Sequence, residues 1–320
     1  MIKVSVVMPT YNAEQYVAAA LDSILIQDYE HLQVIACDDA SQDRTGDIIR
    51  DYSLRFPGKI IAIVNETNLG VTLNCNKALS FCEGEYVSLF AGDDIMLPGK
   101  ISKQVSLMDS CPDVVLSYHP VEIFDSETDK TMFITNQHPR EDVHSTADLL
   151  LKGGIPGGCS IMIRRDSLPE GNYDSRLKTV SDWLLFLEVS LRGRVLKIDE
   201  VLGRYRKHAG GASMQTYGLL SESLLALDLF LEKIPQDSEL RPLVKSAKAR
   251  YVVGESYRQL RDDPTLALSL AKRALTYNGG GFAYTGMYIF AWLNRYLPGV
   301  NFLFCLLGTR LKYLVKRVIG

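Results

Sequence analysis

The stretch Val87-Ser88-Leu89-Phe90-Ala91-Gly92-Asp93-Asp94-Ile95-Met96-Leu97-Pro98 decides how the chain is read. Val87 to Phe90 is a short apolar run, the pattern of a strand buried in a parallel sheet. Gly92 allows a tight turn after it, and Pro98 ends the segment ahead of a helix that begins near Gly99. Between them stand two adjacent carboxylates. Such a pair at the carboxyl end of a buried strand repels itself, and a bound cation relieves that cost. Ligands of open α/β sheets gather at the same edge. Taken alone, Asp93-Asp94 is more often a solvated turn, so its meaning depends on what else reaches that edge.

Upstream, strands and helices alternate. The patterns predict strands over Lys3–Met8, His31–Ala36, Ile60–Val64 and Tyr86–Phe90, and helices over Glu14–Gln27, Thr45–Phe56 and Val71–Glu83. This alternation predicts a mostly parallel, doubly wound α/β sheet. The first strand-to-helix turn lacks G-x-G-x-x-G, which argues against a dinucleotide-binding domain. Polar groups instead recur at the strand ends: Thr10-Tyr11-Asn12, Asp38-Asp39, Asn68 and Asp93-Asp94. The topology would line them along one crevice. Tyr11 can stack on a base, Asp38 or Asp39 can accept from a base N–H or a ribose hydroxyl, and Asp93 with Asp94 can hold a divalent cation on a diphosphate. Each has a plainer reading, as core edge, helix cap or turn; all four together would need independent coincidences of position.

The chain has 320 residues, 47% hydrophobic and 23% charged, with a net charge of −3. That is ordinary globular composition, and it offers no electrostatic case for nucleic acid. The six cysteines, at 37, 75, 82, 111, 159 and 305, show no C-x-x-C spacing and read as reduced thiols. Met1 leads straight into a strand pattern without a signal peptide, so a cytoplasmic protein is expected.

The ordered set Val4-Ser5-Val6-Val7-Met8-Pro9-Thr10-Tyr11-Asn12, Asp38-Asp39-Ala40-Ser41-Gln42-Asp43, Asn68-Leu69-Gly70 and Gly84-Glu85-Tyr86 leading into Asp93-Asp94 resembles the family 2 glycosyltransferases of the GT-A fold over roughly residues 1–210. The resemblance implies inverting transfer of a sugar from a nucleotide diphosphate sugar, usually with Mg²⁺ or Mn²⁺. It implies that Pro9, Tyr11 and Asp39 line the nucleotide pocket, with Asn12, Asp38 and Asn68 beside them. Asp93 corresponds to the second acid of a D-x-D metal motif, and Asp94 can compensate through a water for the first acid, which is replaced by Ala91. The family's Arg in the third helix is absent; Lys77 stands there as a diphosphate contact.

Downstream, a helix is expected over Lys100–Asp109, a strand from Val114 extending to Ser117 or as far as Phe124, a polar loop, and a helix over Thr146–Lys152. The Gly-rich loop from Gly153 to Ser160 is not followed by Gly-Lys-Ser/Thr and is not a P-loop; by resemblance it lies near the acceptor and donor sugar. Ser181-Asp182-Trp183 opens another helix. From sequence alone Ser181 or Asp182 reads as a cap. The resemblance makes Asp182 the catalytic base, with Ser181 in place of a preceding acid. Leu202 to His208 resembles the family's Tyr-Arg-x-His segment, which assigns Arg206 or Lys207 to phosphate and His208 to metal or phosphate.

The predicted domains are a catalytic GT-A domain over 1–212, a helical region over 213–281 and an apolar, basic segment over 282–320. That last segment holds Arg295, Arg310, Lys312, Lys316 and Arg317 and no acid. Pro298-Gly299 divides its apolar part into pieces too short to span a bilayer. A peripheral contact with the inner face of the cytoplasmic membrane is expected, with a helical hairpin on the catalytic domain or a homo-oligomer contact as the alternatives. The leading reading is thus a metal-dependent inverting glycosyltransferase acting on a saccharide or lipid-linked acceptor in cell-surface polysaccharide synthesis, of the O-antigen type. The alternative is a non-catalytic sugar-nucleotide-binding scaffold, supported by Ala91 and Ser181. A receiver-like phosphorylation module fits poorly, because Asp38-Asp39 follows the second strand.

Overall fold

The computed structural model describes residues 3–155, 157–208, 219–278 and 282–296. The expected boundaries at 212/213 and 281/282 and the basic tail 297–320 fall wholly or partly outside them. The chain divides into two units, Met1–Leu149 with Gly154–Thr216, and Leu150–Gly153 with Tyr217–Gly320.

The first unit carries β1 (Val4–Thr10), α1 (Val17–Leu25), β2 (Leu32–Asp38), α2 (Thr45–Arg55), β3 (Ile60–Val64), α3 (Val71–Leu79), β4 (Tyr86–Leu89), β5 (Ile95–Met96), α4 (Lys100–Ser110), β6 (Val114–Tyr118), β7 (Val121–Asp125), β8 (Thr131–Ile134), β9 (Met162–Arg164), α6 (Ser181–Ser190), β10 (Arg194–Lys197) and β11 (Gly203–Lys207). Helix α5 (Thr146–Lys152) runs across the division. The main sheet has the order β10-β6-β9-β4-β1-β2-β3. It is parallel except for β9, which runs antiparallel between β4 and β6. Val4, Val6 and Met8 of β1 and Val34 and Ala36 of β2 share one apolar cluster with Ala20, Leu21 and Ile24 of α1 and Ile49 of α2. Each fully buried large aliphatic there contributes about 1.5–3 kcal/mol.

Two departures from the expected elements shape the site. Strands β1 and β2 run further than their apolar patterns, because Pro9 pairs with Cys37 and Thr10 with Asp38 in register. Asp38 is therefore the last residue of a strand inside the sheet. A second, four-stranded sheet, β5-β11-β7-β8, was also not expected. The apolar run from Val114 breaks at His119-Pro120 into β6, which joins the main sheet, and β7, which joins the small one. Strand β5, directly after Asp93-Asp94, pairs antiparallel with β11, Met96 opposite Gly203. That pairing brings the Leu202–His208 segment to the carboxyl end of β4.

The second unit contains α7 (Leu219–Lys233), α8 (Leu240–Gln259), α9 (Pro264–Asn278) and α10 (Phe282–Tyr296). Asp263 accepts hydrogen bonds from the Thr265 and Leu266 amides. With Pro264 next in sequence, it starts α9 as a side-chain cap. Val252, Val253, Leu270, Ala271, Ala274, Met287 and Ala291 form the core of this unit. No helix among the described residues is long and apolar enough to cross a membrane.

Candidate active site

A cavity of about 360 Å³ opens at the carboxyl ends of β1, β2 and β4, the size of a small-molecule site. Its wall includes Pro9, Tyr11, Asn12, Asp39, Asn68, Gly70, Asn74, Asp93 and His208. Tyr11 is 49% exposed, an open ring face at the rim.

Asp39 is the best-anchored group in this wall. Its Oδ1 accepts from the Leu69 amide at 2.8 Å and from Asn65 Nδ2 at 2.9 Å, and its Oδ2 accepts from the Gly70 amide at 2.9 Å. Gly70 has φ +82 where α3 begins, a conformation glycine adopts without strain. Asn68 donates to the Asp39 carbonyl and accepts from the Gly70 amide, so the Asn68-Leu69-Gly70 turn closes around Asp39. Asn12, at φ +49, spends its side chain on the Gln42 amide and shapes the rim.

Three residues expected at the nucleotide lie behind the wall. Asp38 is 1% exposed and accepts from Ser41 and Thr10, because strand pairing holds it in the sheet. Lys77 donates to Asn65 Oδ1 at 2.7 Å, and Asn65 in turn donates to Asp39 and Asn74. The Lys77 amine thus supports the Asp39 network, and it does not line the cavity. Arg206 donates through Nε to the Asp93 carbonyl at 2.7 Å, and its guanidinium stacks on the rings of Tyr16 and Phe124, each 4.7 Å away. It clamps the loop that carries Asp93.

The adjacent carboxylates separate completely. Asp93 faces the cavity, with Oδ2 3.0 Å from His208 Nε2. Asp94 is 1% exposed, and its Oδ1 accepts the Arg206 amide at 3.0 Å. Burial, and then the Asp93 charge, push its carboxyl well above the usual carboxylate range. Asp94 is a buried anchor between β4 and β11, which corrects its expected role as a ligand; β5 folds back on β11 and turns it inward. Gly92 permits the turn by close approach: a Cβ there would stand 2.2 Å from Thr10 Cγ2.

The pair that remains fits a divalent ion of the Mg²⁺ or Mn²⁺ kind. Neighbouring ligands of an octahedral ion at about 2.1 Å lie about 3 Å apart, and Asp93 Oδ2 and His208 Nε2 have that spacing. Among the described residues no group of three such side chains could hold an ion. The other positions would fall to phosphate oxygens and water, as is usual where a metal binds with a nucleotide.

Asp182 is not on the cavity wall. It is the second residue of α6, and its Oδ1 accepts from the Trp183 amide at 2.7 Å. The helix N-cap is Val180, without a side-chain bond. Ser181 is 2.9 Å from Thr72 Oγ1 of α3, whose neighbours Val71 and Asn74 do line the cavity. The start of α6 is thereby tied beside it. Asp182 is exposed at the surface, and desolvation by the protein packed around it pushes its carboxyl above the usual range.

The sequence reading missed Asn65, Asn74 and Tyr16. Asn65 was readable as a polar residue at a strand end. Asn74 and Tyr16 lie in amphipathic helices, where nothing local marks them.

Residues 5–170 match the profile of glycosyl transferase family 2. The chain belongs to this family. It is 34% identical over 217 residues to an uncharacterized protein of Mycobacterium tuberculosis, a match covering 67% of this chain and 61% of that protein's length. It is 31% identical over 206 residues (63% of this chain, 78% of the relative) to a Bacillus subtilis protein provisionally named teichuronic acid biosynthesis glycosyltransferase TuaG. The fold is shared with S. aureus TarS 1–349 in complex with UDP-GlcNAc, at TM-score 0.67 and 18% identity over 92% of this chain and 87% of that one. It is also shared with mannosyltransferase PcManGT of Pyrobaculum calidifontis in complex with GDP-Man and Mn²⁺, at TM-score 0.62 and 18% identity over 92% and 81%. Family membership agrees with the doubly wound sheet and with the GT-A architecture expected from the strand-end motifs.

Proposed function

We propose that the protein transfers a sugar, with inversion, from a nucleotide diphosphate sugar to a hydroxyl of a saccharide or lipid-linked acceptor, using Mg²⁺ or Mn²⁺. The observation that carries this reading is the meeting of Tyr11, Asp39 and Asn68 with the Asp93–His208 pair around one cavity. Tyr11 and the Asp39 wall receive the nucleoside. Asp93 and His208 hold the metal, which when bound neutralises charge building on the leaving diphosphate. Asp182 takes the proton of the acceptor hydroxyl as it attacks the anomeric carbon. An inverting displacement needs only this base on one face and charge stabilisation on the other. Proteins of the same fold, bound to UDP-GlcNAc and to GDP-Man with Mn²⁺, support a nucleotide-sugar donor and a metal. The name of the B. subtilis relative supports a cell-surface polymer as the product.

The test is hydrolysis and transfer with a panel of UDP- and GDP-sugars, with and without Mn²⁺. Metal-dependent turnover of one donor is expected. Donor binding without turnover, for any acceptor tried, would favour the scaffold reading that Ala91 and Ser181 suggest. For localisation, the proposal is a peripheral contact through the basic segment 282–320, with dimer formation as the competing role. Salt-sensitive co-sedimentation of the full chain with anionic vesicles is expected, and a full chain that stays in the supernatant removes it.

A further inference from the structure

Tyr16 stands in no expected site, yet it touches both Arg206 of β11 and His208 just beyond it. The Arg206 guanidinium lies 4.7 Å from its ring centre on one contact, and the His208 ring 4.8 Å away on another, tilted by 52°. Its hydroxyl accepts from Ser126 at 3.3 Å. Arg206 grips the Asp93 carbonyl, and His208 meets the Asp93 carboxylate. Four links therefore close a ring of contacts: Tyr16 to Arg206 to Asp93, and Asp93 to His208 to Tyr16. The residues come from α1's leading turn, the loop after β4 and the end of β11.

We propose that Tyr16 is a positioning residue of the cation site, its ring serving as the shared platform that holds Arg206 and His208 in register with Asp93. This rests on the reading of Asp93 and His208 as metal ligands. The physical reason is the short reach of the pair. Among the described residues His208 hydrogen-bonds to Asp93, and the Tyr16 ring packs against the imidazole and fixes its plane. Ring–cation attraction holds Arg206, and Arg206 holds the loop. Groups behind metal ligands typically govern affinity by about 10–100-fold.

The experiment measures Mn²⁺ uptake by electron paramagnetic resonance of free Mn²⁺, in the presence of saturating UDP or GDP, for the full chain and its variants. Tyr16→Phe keeps the ring and loses only the Ser126 contact; its Mn²⁺ affinity should stay within about twofold. Tyr16→Leu removes the ring and should weaken Mn²⁺ by about tenfold or more, while nucleotide affinity without metal, measured by calorimetry, stays unchanged. If Tyr16→Leu does not fold, Tyr16→Met, which fills similar space without a ring, carries the same expectation. Unchanged Mn²⁺ affinity in the ring-less variants overturns the proposal, as does an equal loss in Tyr16→Phe or a parallel loss of metal-free nucleotide binding. A wild-type chain that takes up no Mn²⁺ removes the cation-site reading and this inference with it. Wild-type uptake abolished by Asp93→Asn but indifferent to Tyr16 leaves the site standing and overturns only the platform.

Discussion

His208 Nε2 and Asp93 Oδ2 are 3.0 Å apart although 115 positions separate them in the chain. The contact exists because β5 reverses direction after the Asp pair and runs antiparallel to β11. It joins one carboxylate and one imidazole at the cavity wall.

Removing either member should therefore act through the metal. Asp93→Asn is expected to lower turnover by about 10²-fold or more, since a metal supplies several kcal/mol of charge stabilisation. His208→Ala should raise the Mn²⁺ concentration needed for half-activity by about tenfold. Chelation should abolish turnover and added Mn²⁺ restore it. Folded variants with wild-type metal dependence would end the assignment.

Asp182 should be visible in the pH profile. Burial raises its carboxyl pKa, so it stays protonated to a higher pH than an ordinary Asp. A base must be ionised to work; turnover should fall as pH drops through that raised value, at a higher pH than an ordinary Asp would give. Asp182→Asn should abolish transfer and leave donor affinity nearly unchanged. Retained transfer in this variant would reassign Asp182 to the amide of Trp183 alone.

Gly92 is a packing constraint with a built-in control. Gly92→Ala places a methyl against Thr10 Cγ2, and overpacking of this kind costs about 1–3 kcal/mol. Adding Thr10→Ser deletes that methyl and should recover much of the loss, read as the urea midpoint and as turnover. No recovery in the double variant would place the strain elsewhere.

Lys100 is fully buried at the start of α4, donating to Ser88 of β4 and to Gln104 at 2.8 Å each. Burial brings its pKa from 10.5 down to about 7. Below pH 7 both folded and unfolded chains hold the proton, and the folded state carries the full cost of a buried cation. Between about pH 7 and 10.5 only the unfolded chain keeps it, so stability attributable to this group rises with pH by up to about 1.4 kcal/mol per unit. Lys100→Met lacks that slope. Urea unfolding at pH 7 and pH 9 should show the wild type gaining on the variant as pH rises; parallel behaviour would mean that Lys100 stays charged in the fold.

Much of this was legible in the chain. The alternation of apolar runs with amphipathic segments predicts the doubly wound sheet, because a strand buried on both faces can only be apolar throughout. The strand ends pointed to Tyr11, the Asp38-Asp39 pair, Asn68 and the Asp93-Asp94 pair; of these Tyr11, Asp39, Asn68 and Asp93 line the cavity. The second sheet escaped because β5 and β8 are two and four residues long, too short for periodicity to register. His119-Pro120 conceals the division of β6 from β7 in the same way.

By itself the sequence determined the fold class, the family and the edge of the sheet where the site lies, since these follow from local patterning. Only the tertiary structure decided which carboxylate of each pair is held behind the wall and which faces the cavity. Asp38 and Asp94 are indistinguishable from Asp39 and Asp93 by composition. Strand register buries the first pair against Ser41, Thr10 and the Arg206 amide, and leaves the second facing the cavity. A side chain's direction at the end of a strand is set by its pairing partners, and those partners come from parts of the chain that no local reading can bring together.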